Sequence, residues 1–149
     1  MMKYLASLII LLCSLSTAQA GVVIIGHPSG PDTITVKQVR DIYLNRNMIL
    51  PDGVRAMPFE LPEHNLIRRT FHRDVTERTS AQLRTFWAEQ IFTGKGNPPQ
   101  RVGTPEAMKT AVSSTLGSIG YLDESQVDDS VKVLLRLADD RWKEEDWGR

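Results

Sequence analysis

The chain has 149 residues, 18 basic and 18 acidic side chains, and a formal net charge of zero at neutral pH. That balance excludes a nucleic-acid or membrane-surface partner recruited by bulk charge, since both need a basic excess. With 41% apolar residues and a single cysteine, Cys13, a core rather than disulfides must hold the chain, and its length suits one domain.

Residues 1–20 read as a secretory signal peptide. "MMK" is a short positive start, "YLASLIILLCSL" an apolar run, and "AQA" a small-x-small cleavage site ending at Ala20. Cleavage there leaves 129 of the 149 residues, beginning at Gly21, with no cysteine and, once Lys3 is lost, 17 basic against 18 acidic groups. Bulky Leu12 ahead of Cys13 disfavours a lipoprotein. The apolar run is short for a membrane span, and no second one follows it. The expected product is periplasmic, without stable membrane insertion.

The remainder opens with "GVVIIG" at 21–26, a β-branched run suited to a strand buried on both faces. "HPSGPDT" is a loop of Pro, Gly and small polar residues. In "TVKQVRDIYLNR", Thr35 and Gln38 have capping-box spacing, and Val36, Val39, Ile42 and Tyr43 share one helical face. "LPDG" at 50–53 signals a turn, and "VRAMPFEL" a strand in which Pro58 marks an edge or an irregular end. "LPEHNLIRRTF" predicts a short helix with Leu66, Ile67, Thr70 and Phe71 inward and Arg68 and Arg69 facing water.

A third helix starts at Thr79, whose spacing to Gln82 repeats the capping box, with Leu83, Phe86, Trp87 and Ile91 as its apolar stripe. "TGKGNPP" breaks the chain. Thr104 as N-cap, Pro105 at the first helical position and Gly117 as the stop frame a fourth helix. "SIGYL" and "VKVLLRL" are the last strands, and a charged tail runs from about residue 138. The order β-α-β-α-α-α-β-β implies an α/β fold, a mixed sheet flanked by helices. The expected core is Val23, Ile24, Val39, Ile42, Leu66, Phe71, Leu83, Phe86, Ile119 and Val133.

Catalytic and metal signatures are missing from the sequence. His27, His64 and His72 lack the spacing of a helical metal pair and have no acidic neighbour that completes a triad, so each reads as a surface residue. The two prolines after "TGKGN" forbid the helix that a phosphate-cradling P-loop needs. Neither an enzyme nor a cofactor is expected. Three loops ahead of helices do carry small polar residues: "HPSGPDT", "LPEHN" and "VGT". If the strands feeding them are parallel, they share the carboxyl edge of the sheet, where open α/β sheets hold ligands. Ser29, Gly30, His64, Asn65, Gly103 and Thr104 are then candidate anion donors, with backbone N–H groups at the helix starts. Glu63 would oppose an anion there, and His64 would help only when protonated.

"TVKQVRDIYLNRNMILPDGVRAMPFEL", "LRTFWAEQIFTGKG" and "GSIGYL" together resemble the solute-binding proteins of phosphate ABC transporters, and more closely short exported proteins with that domain, the type 2 periplasmic-binding fold. Residues Ile42 to Arg46 stand where the family ends a helix with Ile-Phe-Leu-Gly-Lys, and Gly117 to Tyr121 where it has a late Gly-Ala-Ile-Gly-Tyr. The resemblance spans most of residues 22–137 and implies roughly one lobe of a two-lobed fold. It also implies a small oxyanion such as phosphate as ligand, with a membrane transporter or a sensor ectodomain as partner. The family grips phosphate with an arginine followed by a Ser-Gly-Thr turn. Glu60 stands near the arginine's place, and Glu63, His64 and Asn65 replace the turn. Weak binding, or a non-transporting interaction module that has lost its ligand and docks a sensor ectodomain or an envelope partner, is what those departures imply.

Overall fold

A computed structural model describes residues 21–137. The expected signal peptide and the charged tail lie outside the described residues. β1 (Val22–Gly26) is buried at all five positions, as its unbroken β-branched run requires. α1 (Val36–Tyr43) starts on a complete Thr35–Gln38 capping box and buries Val36, Val39, Ile42 and Tyr43. β2 (Met57–Glu60) leads to α2 (Leu66–Phe71), which runs on as a five-residue π turn, His72–Thr76. α3 (Ser80–Phe92) carries the second capping box, Thr79 with Gln82. β3 (Gln100–Arg101), α4 (Pro105–Ser114), β4 (Ser118–Asp123) and β5 (Lys132–Arg136) complete the order.

The strands form one sheet in the order β3-β2-β4-β1-β5. β2 is parallel to β3 and to β4, whereas β1 is antiparallel to both β4 and β5. The expected mixed sheet with flanking helices is therefore present. Pro58 is tolerated in this inner strand for a local reason. The Met57 N–H bonds the Gly117 carbonyl at 2.8 Å on the β4 side. The proline nitrogen then faces the other side, where β3 pairs only with Phe59 and Glu60.

Two glycines explain why "GSIGYL" is built as it is. Gly117 turns the chain at φ 93°, and a Cβ there would lie 2.6 Å from the Arg55 carbonyl. Gly120 lets α4 lie against β4, since a Cβ would meet the Met108 sulfur at 2.5 Å. The main core lies between the sheet and α1, α2 and α4, and a second cluster of Leu44, Leu83 and Trp87 holds α3.

Of the expected core, Val23, Ile24, Val39, Ile42, Phe71, Leu83 and Ile119 are buried, and Phe86 and Val133 are half-buried. Leu66 is not core, being 66% exposed, and Ile91 also faces water. Arg68, expected in solvent, is buried, as is His72. The inward stripe is Arg68, Phe71, His72 and Val75, a regular helical spacing of three and four residues. Two polar members disguised it. The short strand β3 is an addition to the expected order, since "QR" carries no strand signal of its own.

Candidate functional site

The topology divides the expected site. Gly26 at the end of β1 pairs with Ile119 near the start of β4, and Met57 at the start of β2 pairs with Ser118. Ser29 and Gly30 therefore lie at the edge opposite to that of His64, Asn65, Gly103 and Thr104. The assumption of parallel strands fails at β1, and with it the idea of one shared edge. The amides of Ser29 and Gly30 are also engaged, with the His27 ring nitrogen Nδ1 at 3.0 Å and the His27 carbonyl at 2.8 Å. At the other edge, Asn65 Oδ1 accepts from the Ile67 and Arg68 amides, and Thr104 Oγ1 from that of Ala107. Both side chains cap their own helices. His64 and Gly103 are exposed beside them.

The end of β2 is fixed by two tyrosines from the segments that carry the family resemblance. Tyr43 donates its hydroxyl to the Phe59 carbonyl at 2.7 Å, and the Tyr121 hydroxyl accepts from the Leu61 amide at 3.1 Å. Between those anchors Glu60 turns into the protein, only 4% exposed. One carboxylate oxygen pairs with His72 Nε2, and the other accepts from Arg68 at 3.4 Å. His72 Nδ1 lies 3.0 Å from the Thr76 hydroxyl, and Arg68 also donates to Ser80 at 3.4 Å. Arg68 Nε is buried with no hydrogen-bond partner among the described residues. His72 thus has the acidic neighbour that the sequence did not disclose, brought from twelve residues away by the strand-to-helix turn.

Burial, above all, raises the phenol pKa values of Tyr43 and Tyr121 well above the ordinary range, with the nearby Glu60 carboxylate adding to it. The folded state therefore keeps these two protons more tightly than the unfolded chain does. The stability linked to them is complete below about pH 10, where unfolded tyrosine titrates, and falls as pH rises beyond it. Urea unfolding at pH 8 and at pH 10.5 should show a loss approaching about 1.4 kcal/mol per tyrosine per pH unit above that point. Tyr43→Phe should shallow the slope. An unchanged slope would show that the ring is solvated.

Glu60 and Arg68 form one wall of an open groove of about 560 Å³ at the β2–β3 edge. Arg84 from α3, Arg101 from β3, Glu63 and Trp87 line the rest of its polar and aromatic surface. Glu63 forms an ion pair with Arg84, so its expected repulsion of an anion is offset. Arg101 is exposed and makes no ion pair among the described residues. Basic groups therefore outnumber acidic ones in this groove, three arginines against two glutamates. No local sequence signal marks these arginines as a group, because they come from three separate elements. Among the described residues no group of three or more His, Cys, Asp and Glu could hold a metal, and no helix is long and apolar enough to cross a membrane.

No protein-family model matches the sequence, and no curated protein matches it. Solved structures do. A protein from Clostridium perfringens, assigned as a phosphate ABC transporter substrate-binding protein and solved with bound phosphate, superposes with a TM-score of 0.63 at 21% identity, over 77% of this chain and 44% of its own. The fold is a partial lobe of the periplasmic-binding type. PstS from Borrelia burgdorferi matches with a TM-score of 0.57 at 12% identity, covering 77% of this chain and 46% of its own. An ABC-type phosphate transport receptor from Vibrio cholerae matches at 0.52 and 17% identity, with 77% and 45% covered. The chain thus spans less than half the length of each of these binding proteins. The likeness suggested by "DIYLNR" and "GSIGYL" holds at the level of fold.

Proposed function

We propose that the protein is a periplasmic, solute-binding-like protein, not an enzyme, that holds phosphate or a similar small oxyanion weakly in the groove at the β2–β3 edge. In this reading residues 21–149 are one exported domain released by cleavage after Ala20. The observation that carries the proposal is the meeting of Arg68, Arg84 and Arg101 in one groove, with a buried guanidinium nitrogen of Arg68 left unpartnered among the described residues. Guanidinium forks match the oxygens of phosphate and sulfate, and charge-assisted bonds of this kind are the strong ones. Glu60 and the openness of the groove oppose tight binding, because water stays in competition. Isothermal titration and amide shifts should give a Kd for phosphate of about 1 mM, with shifts at residues 60–68 and 100–104. Arg101→Gln should weaken it about tenfold, the loss of about 1.4 kcal/mol. No shift in either segment with phosphate or sulfate sinks the reading.

One observation favours a second reading. Phe92 is 91% exposed and Ile91 55% exposed at the end of α3, and so large an apolar pair suits a docked protein. In that reading the chain is a non-transporting interaction module for a sensor ectodomain or an envelope partner, and phosphate titrations stay silent while Phe92→Ser abolishes docking.

A further inference from the structure

A second basic cavity lies outside that groove, on the far side of His72. It has a volume of about 450 Å³, and its lining includes Arg69, Arg73, Arg78, Glu77, His72 and Ser80. Its shape comes from a break in helical geometry. α2 passes into the π turn His72–Thr76, and Glu77 then takes a left-handed conformation at φ 57°. That conformation disfavours any residue with a Cβ and usually falls to glycine. Left-handed non-glycine residues and π turns gather at functional sites. Here the break stops the helix so that Arg73 and Arg78 come to the same opening as Arg69.

We propose that this cavity binds a phosphomonoester group, carried on a small molecule or on a lipid headgroup. The charge balance supports an anion. Arg73 is held against Asp74 at 2.9 Å, yet Arg69 and Arg78 still outnumber Glu77, the one acidic residue of the lining. Like charges gathered around one cavity repel, and a bound dianion relieves the repulsion. A carboxylate has two oxygens for such an array, whereas a phosphomonoester offers three acceptors and nearly two charges. The volume leaves room for an organic portion against the apolar stems of the arginines. The start of α3 is not the donor, because Thr79 and Gln82 already close it with a capping box. Arg78 is pre-positioned, with its guanidinium carbon 4.5 Å from the centre of the Phe86 ring.

Phenyl phosphate, inorganic phosphate, and vesicles of phosphatidylcholine with and without phosphatidic acid are the probes. Phenyl phosphate should shift amides of residues 69–80 more strongly than inorganic phosphate does. Arg69→Gln with Arg78→Gln should weaken that effect about tenfold or more, leaving the shifts at 100–104 intact. Glu77→Gln should tighten it. Arg101→Gln should do the reverse of the arginine pair, weakening the edge groove alone, so that failure at one site is separable from failure at the other. Co-sedimentation with phosphatidic acid vesicles, lost in the arginine pair, would assign the group to a lipid headgroup. Its absence alongside phenyl phosphate binding would assign it to a small molecule. The proposal is overturned if no probe affects residues 69–80, or if the arginine pair binds as the native protein does.

Discussion

Glu60→Ala should cost about 3–5 kcal/mol of folding stability, the range for stripping one partner from a buried charge cluster. The loss comes less from the ion pair itself than from what is left behind. Arg68 would keep its guanidinium among buried neighbours, its side chain only 6% exposed. Its remaining side-chain contact, Ser80 at 3.4 Å, is long and neutral. His72 would lose the acceptor at Nε2 and keep only Thr76. Urea unfolding measures the cost, and a value below about 1 kcal/mol would mean that water already reaches the cluster. The triple variant Glu60→Leu, Arg68→Met, His72→Leu should recover most of the loss, since well-packed apolar replacements of buried ion pairs are often neutral or stabilising. If the triple variant is stable but phosphate no longer binds, the cluster is kept for the groove and not for the fold.

That cluster also marks the limit of what the sequence discloses. Local signals were reliable. Both capping boxes, the Thr104 cap and the Val36, Val39, Ile42, Tyr43 face appear as their spacing requires. Each depends only on residues a few positions apart. What was hidden depends on residues meeting across the fold. A stripe of Arg68, Phe71, His72 and Val75 reads as half polar until a carboxylate from another element is known to face it. Likewise the direction of β1 cannot be inferred from its own residues, because a fully buried strand has the same apolar run in either orientation. That single ambiguity placed Ser29 and Gly30 beside Asn65 and Thr104 when the sheet sets them apart. Leu66 departs from the expected core for a simpler reason. It is the first residue of a helix only six residues long, too short for its hydrophobic period to fix a face.

Phe71→Ala should be as damaging as the loss of Glu60, at about 3–5 kcal/mol, whereas Phe86→Ala should cost clearly less. Phe71 is fully buried. Its ring stacks on Tyr121 at 4.0 Å between centroids and meets Tyr43 edge-on at 4.7 Å. Those tyrosines hold the end of β2, so the cavity left by Phe71 would loosen the strand that presents Glu60. Phe71 also lies edge-on to His72 at 5.0 Å. The two losses should therefore not add. In a double-mutant cycle, Phe71→Ala with Glu60→Ala should cost less than the sum of the single variants by 0.5 kcal/mol or more, as neighbours sharing a network do. Phe86 differs because it is half-buried, packed on the small Leu44, Leu83 and Trp87 cluster with Arg78 over its ring, away from the main core. Equal losses at Phe71 and Phe86 would place the core under α3, and additive losses at Phe71 and Glu60 would separate the aromatic stack from the buried charges. Non-additivity would tie both tyrosine-bearing segments of the resemblance to the placement of one carboxylate, and through it to the wall of the groove.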